Sequence, residues 1–170
     1  MSNNLTEELL PTGAKLIYAY DDHHNVTRAV TDEGHLYTFT YDDYGNNTAV
    51  SIWQKVTLPD DADADDLKAL TLTGPKITST ATYSEDGNCL VSPTDASGNV
   101  TTYSYNADTN VLEWVQYPED TDVTVTHYAY DEMYRMATAW AYSDEETCLK
   151  ILETINNGEK TFEAAASESS

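Results

Sequence analysis

An alternation of aromatic residues that runs into an acidic turn recurs along this chain. In Tyr37-Thr38-Phe39-Thr40-Tyr41-Asp42-Asp43-Tyr44-Gly45-Asn46, the aromatics at alternate positions project from one face of an extended strand. Val, Thr and aromatic side chains suit a pleated, half-buried surface. Asp42 opens a turn because its carboxylate can accept backbone N–H groups two or more residues on. Gly45 supplies the positive φ that closes a short loop, and Asn46 leads into the returning strand. The unit therefore predicts strand, tight turn, strand.

The unit has relatives at Tyr18–Asp21, Thr80–Asn88, Thr101–Asn106 and Thr126–Asp131. Their second tyrosines stand at 20, 41, 83, 105 and 130, so the steps are 21, 42, 22 and 25. The step of 42 is a doubled 21 with an insertion. A fixed period of this length defines a repeat architecture. The glycine place is held by His24 in the first copy, Thr109 in the fourth and Tyr134 in the last, so those turns need another solution or must tolerate strain.

These residues resemble the YD-repeat, or rearrangement-hotspot (RHS), family. Its loose motif is Y-x-Y-D-x-x-G-R-L, followed by a second turn of the D-x-x-G-N type. The second turn is matched by Thr31-Asp32-Glu33-Gly34-His35 and by Asp95-Ala96-Ser97-Gly98-Asn99. The resemblance covers about residues 15–54 and 77–142, and only Tyr134-Arg135-Met136 approaches the G-R-L ending. It implies hairpins wound into a spiral sheet that can close into a shell, in proteins that are secreted or act at cell surfaces. Bacterial shells of this kind enclose a C-terminal toxin and end in a D-P-x-G-L-type cleavage motif. That motif does not occur here, so neither self-cleavage nor a cargo is assigned.

The expected fold is all-β: repeated antiparallel hairpins in an open, curved sheet. Residues 1–14 read as a polar leader and 15–142 as the repeat sheet. Within it, 55–76 form an acidic insertion, and 143–170 a C-terminal hairpin or short helix with a disordered end. The insertion carries Asp60-Asp61-Ala62-Asp63-Ala64-Asp65-Asp66. The alternating aspartates imitate a calcium loop, but Asp66 stands where the sharp turn needs glycine, and Leu72 where a bidentate Glu is needed. A solvated loop with one helical turn is the expectation. In the tail, Ser143–Glu146 reads as a helix capping box and Asn157-Gly158 as a hairpin turn; both readings stand.

With 30 acidic residues against 8 basic ones, the net charge of -22 repels phosphate backbones and anionic lipid. Neither nucleic acid nor a membrane is an expected partner, and no apolar run reaches bilayer length. The start lacks the basic and apolar segments of a secretory signal. His23, His24, His35 and His127 have no neighbour at metal-ligand spacing. Cys89 and Cys148 are as readily two packed thiols as a disulfide. Without a nucleophile elbow, phosphate loop or dinucleotide fingerprint, the chain is expected to be non-enzymatic and to need no cofactor.

The expected structural positions are the turn residues Asp21, Asp32, Gly34, Asp42, Gly45, Gly87, Asp95, Gly98 and Asp131. The expected role is a structural repeat segment of a secreted or surface protein, with neighbouring repeats or edge strands as partners. The alternative is a carbohydrate-binding or adhesion module in which Trp53, Trp114 and Trp140 stack on glycan rings.

Overall fold

The computed structural model describes residues 4–31, 33–118 and 124–142. Nearly all regular structure in it is antiparallel β. Strands β1 (Glu7–Leu9), β2 (Lys15–Tyr20), β3 (Val26–Val30), β4 (Leu36–Tyr41) and β5 (Asn47–Trp53) follow one another as a meander. A short helix α1 (Ala64–Ala69) precedes β6 (Lys76–Tyr83) and β7 (Leu90–Thr94), which complete a seven-stranded sheet in chain order. Strands β8 (Thr102–Tyr105), β9 (Leu112–Gln116), β10 (Val125–Tyr130) and β11 (Met136–Tyr142) form a second sheet of four, again in chain order. Neither sheet closes into a barrel. The chain divides into two compact units, one holding residues up to 88 with 93–98, the other 89–92 with the residues from 99 on.

Residues 7–9 of the polar leader pair with β2, so the leader supplies the edge strand of the first sheet. At the other edge, β7 contains Pro93, which cannot donate to a ladder and is tolerated on an edge.

Four hairpins share one irregularity. The register shifts between Ala19 and Tyr20, Thr40 and Tyr41, Ser104 and Tyr105, and Ala129 and Tyr130. The bulge thus falls each time just before the second tyrosine of the repeat. The extra residue is on the returning strand, Thr27, Thr48, Glu113 and Ala137 in turn, where it increases the local twist.

The core of the first unit lies on the face opposite the alternating aromatics. Strand register places Leu36, Thr38, Ser51 and Trp53 on one side, and Tyr37, Phe39, Val50 and Ile52 on the other. Leu36 is fully buried, whereas Tyr37 and Phe39 are only half-buried and Ile52 is exposed. What covers the Leu36 face is the acidic insertion: Ala62 and Leu67 join Ile17, Ala19, Val30 and Leu36 in one cluster. Val56, Leu58, Leu70 and Leu72 pack around it.

The expected helical turn is α1, but the expectation that the insertion is solvated is corrected for its apolar residues. Its aspartates have local structural work. Asp63 caps α1 through the N–H groups of Asp65 and Asp66, and Asp66 returns a bond to the Asp63 N–H. Between the acidic residues, a leucine set turns inward and shields the sheet from water, with about 2 kcal/mol to be gained from burying Leu67 alone. Cations tie the two layers together. Arg28 donates to the carbonyls of Leu67 and Leu70 at 2.8 and 2.7 Å, satisfying the open end of α1. Lys15 reaches Ala62 O at 2.9 Å, and Lys68 reaches Tyr20 O at 3.1 Å.

In the second unit, Val115 and Val125 are buried, and so is His127 at 7% exposure. Register aligns Ser104, Trp114, His127 and Trp140 across the four strands. The imidazole lies stacked on Trp140 (centroids 6.1 Å apart) and tilted against Trp114 at 6.4 Å. Cys89 is buried; Cys148, and with it any pairing between the two, lies outside the described residues, as does the choice between helix and hairpin after 142.

Candidate functional site

The residues that define the repeat meet at the hairpin turns. Asp42 Oδ1 accepts the N–H groups of Tyr44 and Asn46 at 3.0 and 2.9 Å, and Oδ2 accepts the Asn46 amide at 3.1 Å. Asp21 repeats this with the N–H groups of His23 and Asn25 and the Asn25 amide. Asp131 does so with the N–H groups of Met133 and Arg135, and here the fifth residue adds an ion pair, Arg135 Nη2 to Oδ2 at 2.7 Å. Asn106 takes the same place with the N–H groups of Asp108 and Thr109. Asp95 accepts from Ser97 N–H at 2.8 Å.

These bonds displace titration. Hydrogen bonds from Asn25, above all its N–H, hold the Asp21 carboxyl below its ordinary value of 3.8. For Asp42, burial is the largest influence and works upward, but the bonds from Asn46, Tyr44 and Gly45 together prevail and lower it. Asp131 is lowered chiefly by Arg135, and Asp86 by the Ser84 hydroxyl and by Asn88. Carboxylates that are stabilised in their charged form by their own hairpin are poor proton donors and acceptors at neutral pH.

Positive φ falls where the repeat predicts it: Gly34 at 82°, Gly45 at 87°, Gly87 at 75° and Gly98 at 91°. His24 (68°) and Tyr134 (58°) adopt the same conformation in the glycine place, so those turns keep their form at the expense of strain. The fourth copy differs. Its loop runs from Asn106 to Val111, one residue longer, and the positive φ is at Asn110 rather than Thr109. Asn tolerates that conformation better than a β-branched residue does.

In two further turns the residue in the place of Asp42 is not an aspartate. Asp32 lies outside the described residues; the carbonyl and hydroxyl of the preceding Thr31 accept the N–H groups of Gly34 and His35. In the third copy, Ser84 O closes the turn with Gly87 N–H, and the carboxylate comes from Asp86.

The second tyrosine of the repeat has a job the sequence did not disclose. Tyr20 donates its hydroxyl to Leu5 O at 2.8 Å, Tyr41 to Val26 O at 2.8 Å and Tyr83 to Asn47 O at 3.2 Å. Each reaches across to the chain at or just before the start of the preceding strand. Turns also dock on turns. Tyr44 packs on Gly87 and donates to Glu85 O at 3.0 Å, while the Asn46 amide donates to Gly87 O at 2.8 Å. An aromatic next to the glycine of an exposed turn was the signal available for Tyr44. For Arg28, a lone cation in an apolar strand served the same purpose.

The tryptophans divide between the units, Trp53 in the first and Trp114 and Trp140 in the second. Trp53 is half-buried against the core, donates to Thr38 Oγ1 at 3.0 Å and lies under Lys76 Nζ, 5.0 Å from the ring centroid. Trp114 and Trp140 are half-buried and flank His127. Among the described residues, no group of His, Cys, Asp or Glu is arranged to hold a metal, and no helix is long and apolar enough to cross a membrane.

A register shift and a side-chain-held turn recur in both open sheets, and a hydroxyl strut recurs in the first; together they define a repeat-hairpin scaffold. Residues 83–122 match the RHS repeat family model. The fold is similar to part of the crystal structure of TcdB2-TccC3, with 18% identity and a TM-score of 0.53 over 75% of this chain. It is likewise similar to part of the Photorhabdus luminescens Tc holotoxin pore with a mutated TccC3, at 18% identity and a TM-score of 0.54 over 78% of this chain. The chain spans about 6% of the length of either of those chains. No curated protein matches it.

Proposed function

We propose that this chain is a non-enzymatic structural repeat segment that contributes to a β-sheet shell or scaffold of a secreted or cell-surface protein. The observation that carries the reading is where the motif side chains go. Asp21, Asp42 and Asp131 are taken up by turn N–H groups, and Tyr20, Tyr41 and Tyr83 by strand carbonyls, so the repeat signature is devoted to holding backbone. Carboxylates held in their charged form are poor proton donors near neutrality. Neighbouring repeats are the natural partners, since the Tyr44–Gly87 contact already joins one turn to the next.

The test is localisation together with assembly. Antibody raised to this chain should label the medium or the cell surface of the producing organism, and the labelled species should resist protease as part of a larger β-rich particle. Exclusive recovery from the cytosol as a free, protease-sensitive chain would contradict the proposal.

A further inference from the structure

The insertion leaves a cleft of about 310 Å³ where residues 55–60 pass over the first sheet. That volume lies at the lower end of the range for small-molecule sites. Its floor is Ile17 and Val30, both buried in the core, and its walls are Val56, Leu58 and Pro59. At its rim stand Lys15 and Lys55, with Asp60 as the one carboxylate among the described lining residues.

The two lysines differ. Lys15 is already committed to Glu7 Oε1 and Ala62 O, each at 2.9 Å. Lys55 makes no hydrogen bond, ion pair or ring contact, and it is the only basic side chain among the described residues of which this is true. In a chain with 30 acidic residues an idle ammonium is unexpected. Nor is it randomly placed. The Lys55 stem lies over Gly34, its Cγ 3.0 Å from where a Cβ of that glycine would be, and the Val56 N–H is bonded to Gly34 O at 2.8 Å. The backbone on both sides of the ammonium is thereby anchored beside an apolar cleft.

We propose that this cleft binds a small amphiphilic anion, a medium-chain hydrocarbon carboxylate, with its tail against Ile17, Val30, Val56 and Leu58 and its carboxylate on Lys55. Burial of the tail supplies the affinity. The ammonium selects an anionic head over a neutral or cationic one, against a smaller opposing contribution from Asp60. Because the tail touches both sheet and insertion, the ligand binds the closed layers and stabilises the fold by mass action.

The probe is octanoate, titrated calorimetrically into the full chain, with octan-1-ol and octylammonium as controls and amide chemical shifts to locate the site. Octanoate is expected to bind saturably, one to one, about fivefold tighter than octanol, the range of an exposed ion pair. Shifts should centre on Ile17, Val30, Val56 and Leu58. Lys55→Gln, an exposed change that leaves the core intact, should reduce octanoate to the affinity of octanol, and Asp60→Asn should tighten it. No saturable binding, shifts centred elsewhere, or equal octanoate affinity in wild type and Lys55→Gln would each overturn the proposal.

Discussion

Tyr44 lies so close to Gly87 that a Cβ built on the glycine would stand 2.4 Å from the ring Cγ. The glycine is therefore required twice, once for its φ of 75° and once for the ring. Gly45 has a similar φ but open space around its Cβ direction. Gly45→Ala should cost on the order of 1 kcal/mol, the penalty of an L residue in that conformation. Gly87→Ala should cost about 2–3 kcal/mol, because backbone strain and overpacking add. In a Tyr44→Ala background the excess should disappear. Urea unfolding of the four variants measures it; equal costs for the two glycines would show that the turns do not dock.

The insertion carries a prediction of its own. Leu67 is completely buried, so Leu67→Ala should destabilise by about 2–5 kcal/mol. Asp63→Ala removes the cap of α1 and should cost about 1 kcal/mol. Were the segment a solvated loop, both changes would fall within about 0.5 kcal/mol of wild type in the same unfolding experiment.

The turn carboxylates make stability depend on acid pH. Asp21, Asp42, Asp86 and Asp131 titrate below 3.8 when folded, so their contribution is complete above that value. It is lost as the pH falls through their lower folded values. Asp42→Asn should therefore be less stable than wild type at pH 7, and the difference should shrink as the pH drops below 3.8. A gap independent of pH from 7 to 2 would mean that the charge on Asp42 is irrelevant to its turn.

Salt acts on the whole surface. With a net charge of -22, screening should stabilise the compact state, the Debye length being about 8 Å at physiological ionic strength. Sodium chloride and calcium chloride at matched ionic strength should raise the melting temperature alike. The aspartates of the 60–66 run that have partners cap a helix, and calcium is not needed to hold them. A saturable calcium increment, abolished by Asp63→Ala and Asp65→Ala, would contradict this.

The hairpins were legible because their rules are local. Tyr18–Asp21, Tyr37–Asp42 and Tyr128–Asp131 state strand and turn within a few residues, and each folds as read. The face of burial was not legible. Tyr37 and Phe39 announce an apolar side, yet Leu36 and Val30 form the core because the cover comes from Leu67, far along the chain in a run dominated by aspartate. Its short helix shows fewer than two turns of apolar periodicity, too little to register beside the five aspartates of residues 60–66. The longer loop at Asn106 shifted the positive φ by one residue, which a template with glycine at a fixed offset places on Thr109. The hydroxyl struts escaped because their acceptors, the carbonyls of Leu5, Val26 and Asn47, lie 15 to 36 residues back along the chain, outside the repeat unit that carries each tyrosine.

Those struts offer the most direct measurement. If the repeat tyrosines hold backbone, Tyr20→Phe, Tyr41→Phe and Tyr83→Phe, which remove only hydroxyls, should each cost about 1 kcal/mol in urea unfolding. The triple variant should lose about 3 kcal/mol, since the sites share no partner. Tyr37→Phe is the control, because the Tyr37 hydroxyl has no bond to lose, and it should stay within about 0.5 kcal/mol of wild type. Three variants indistinguishable from Tyr37→Phe would contradict the scaffold role of the motif.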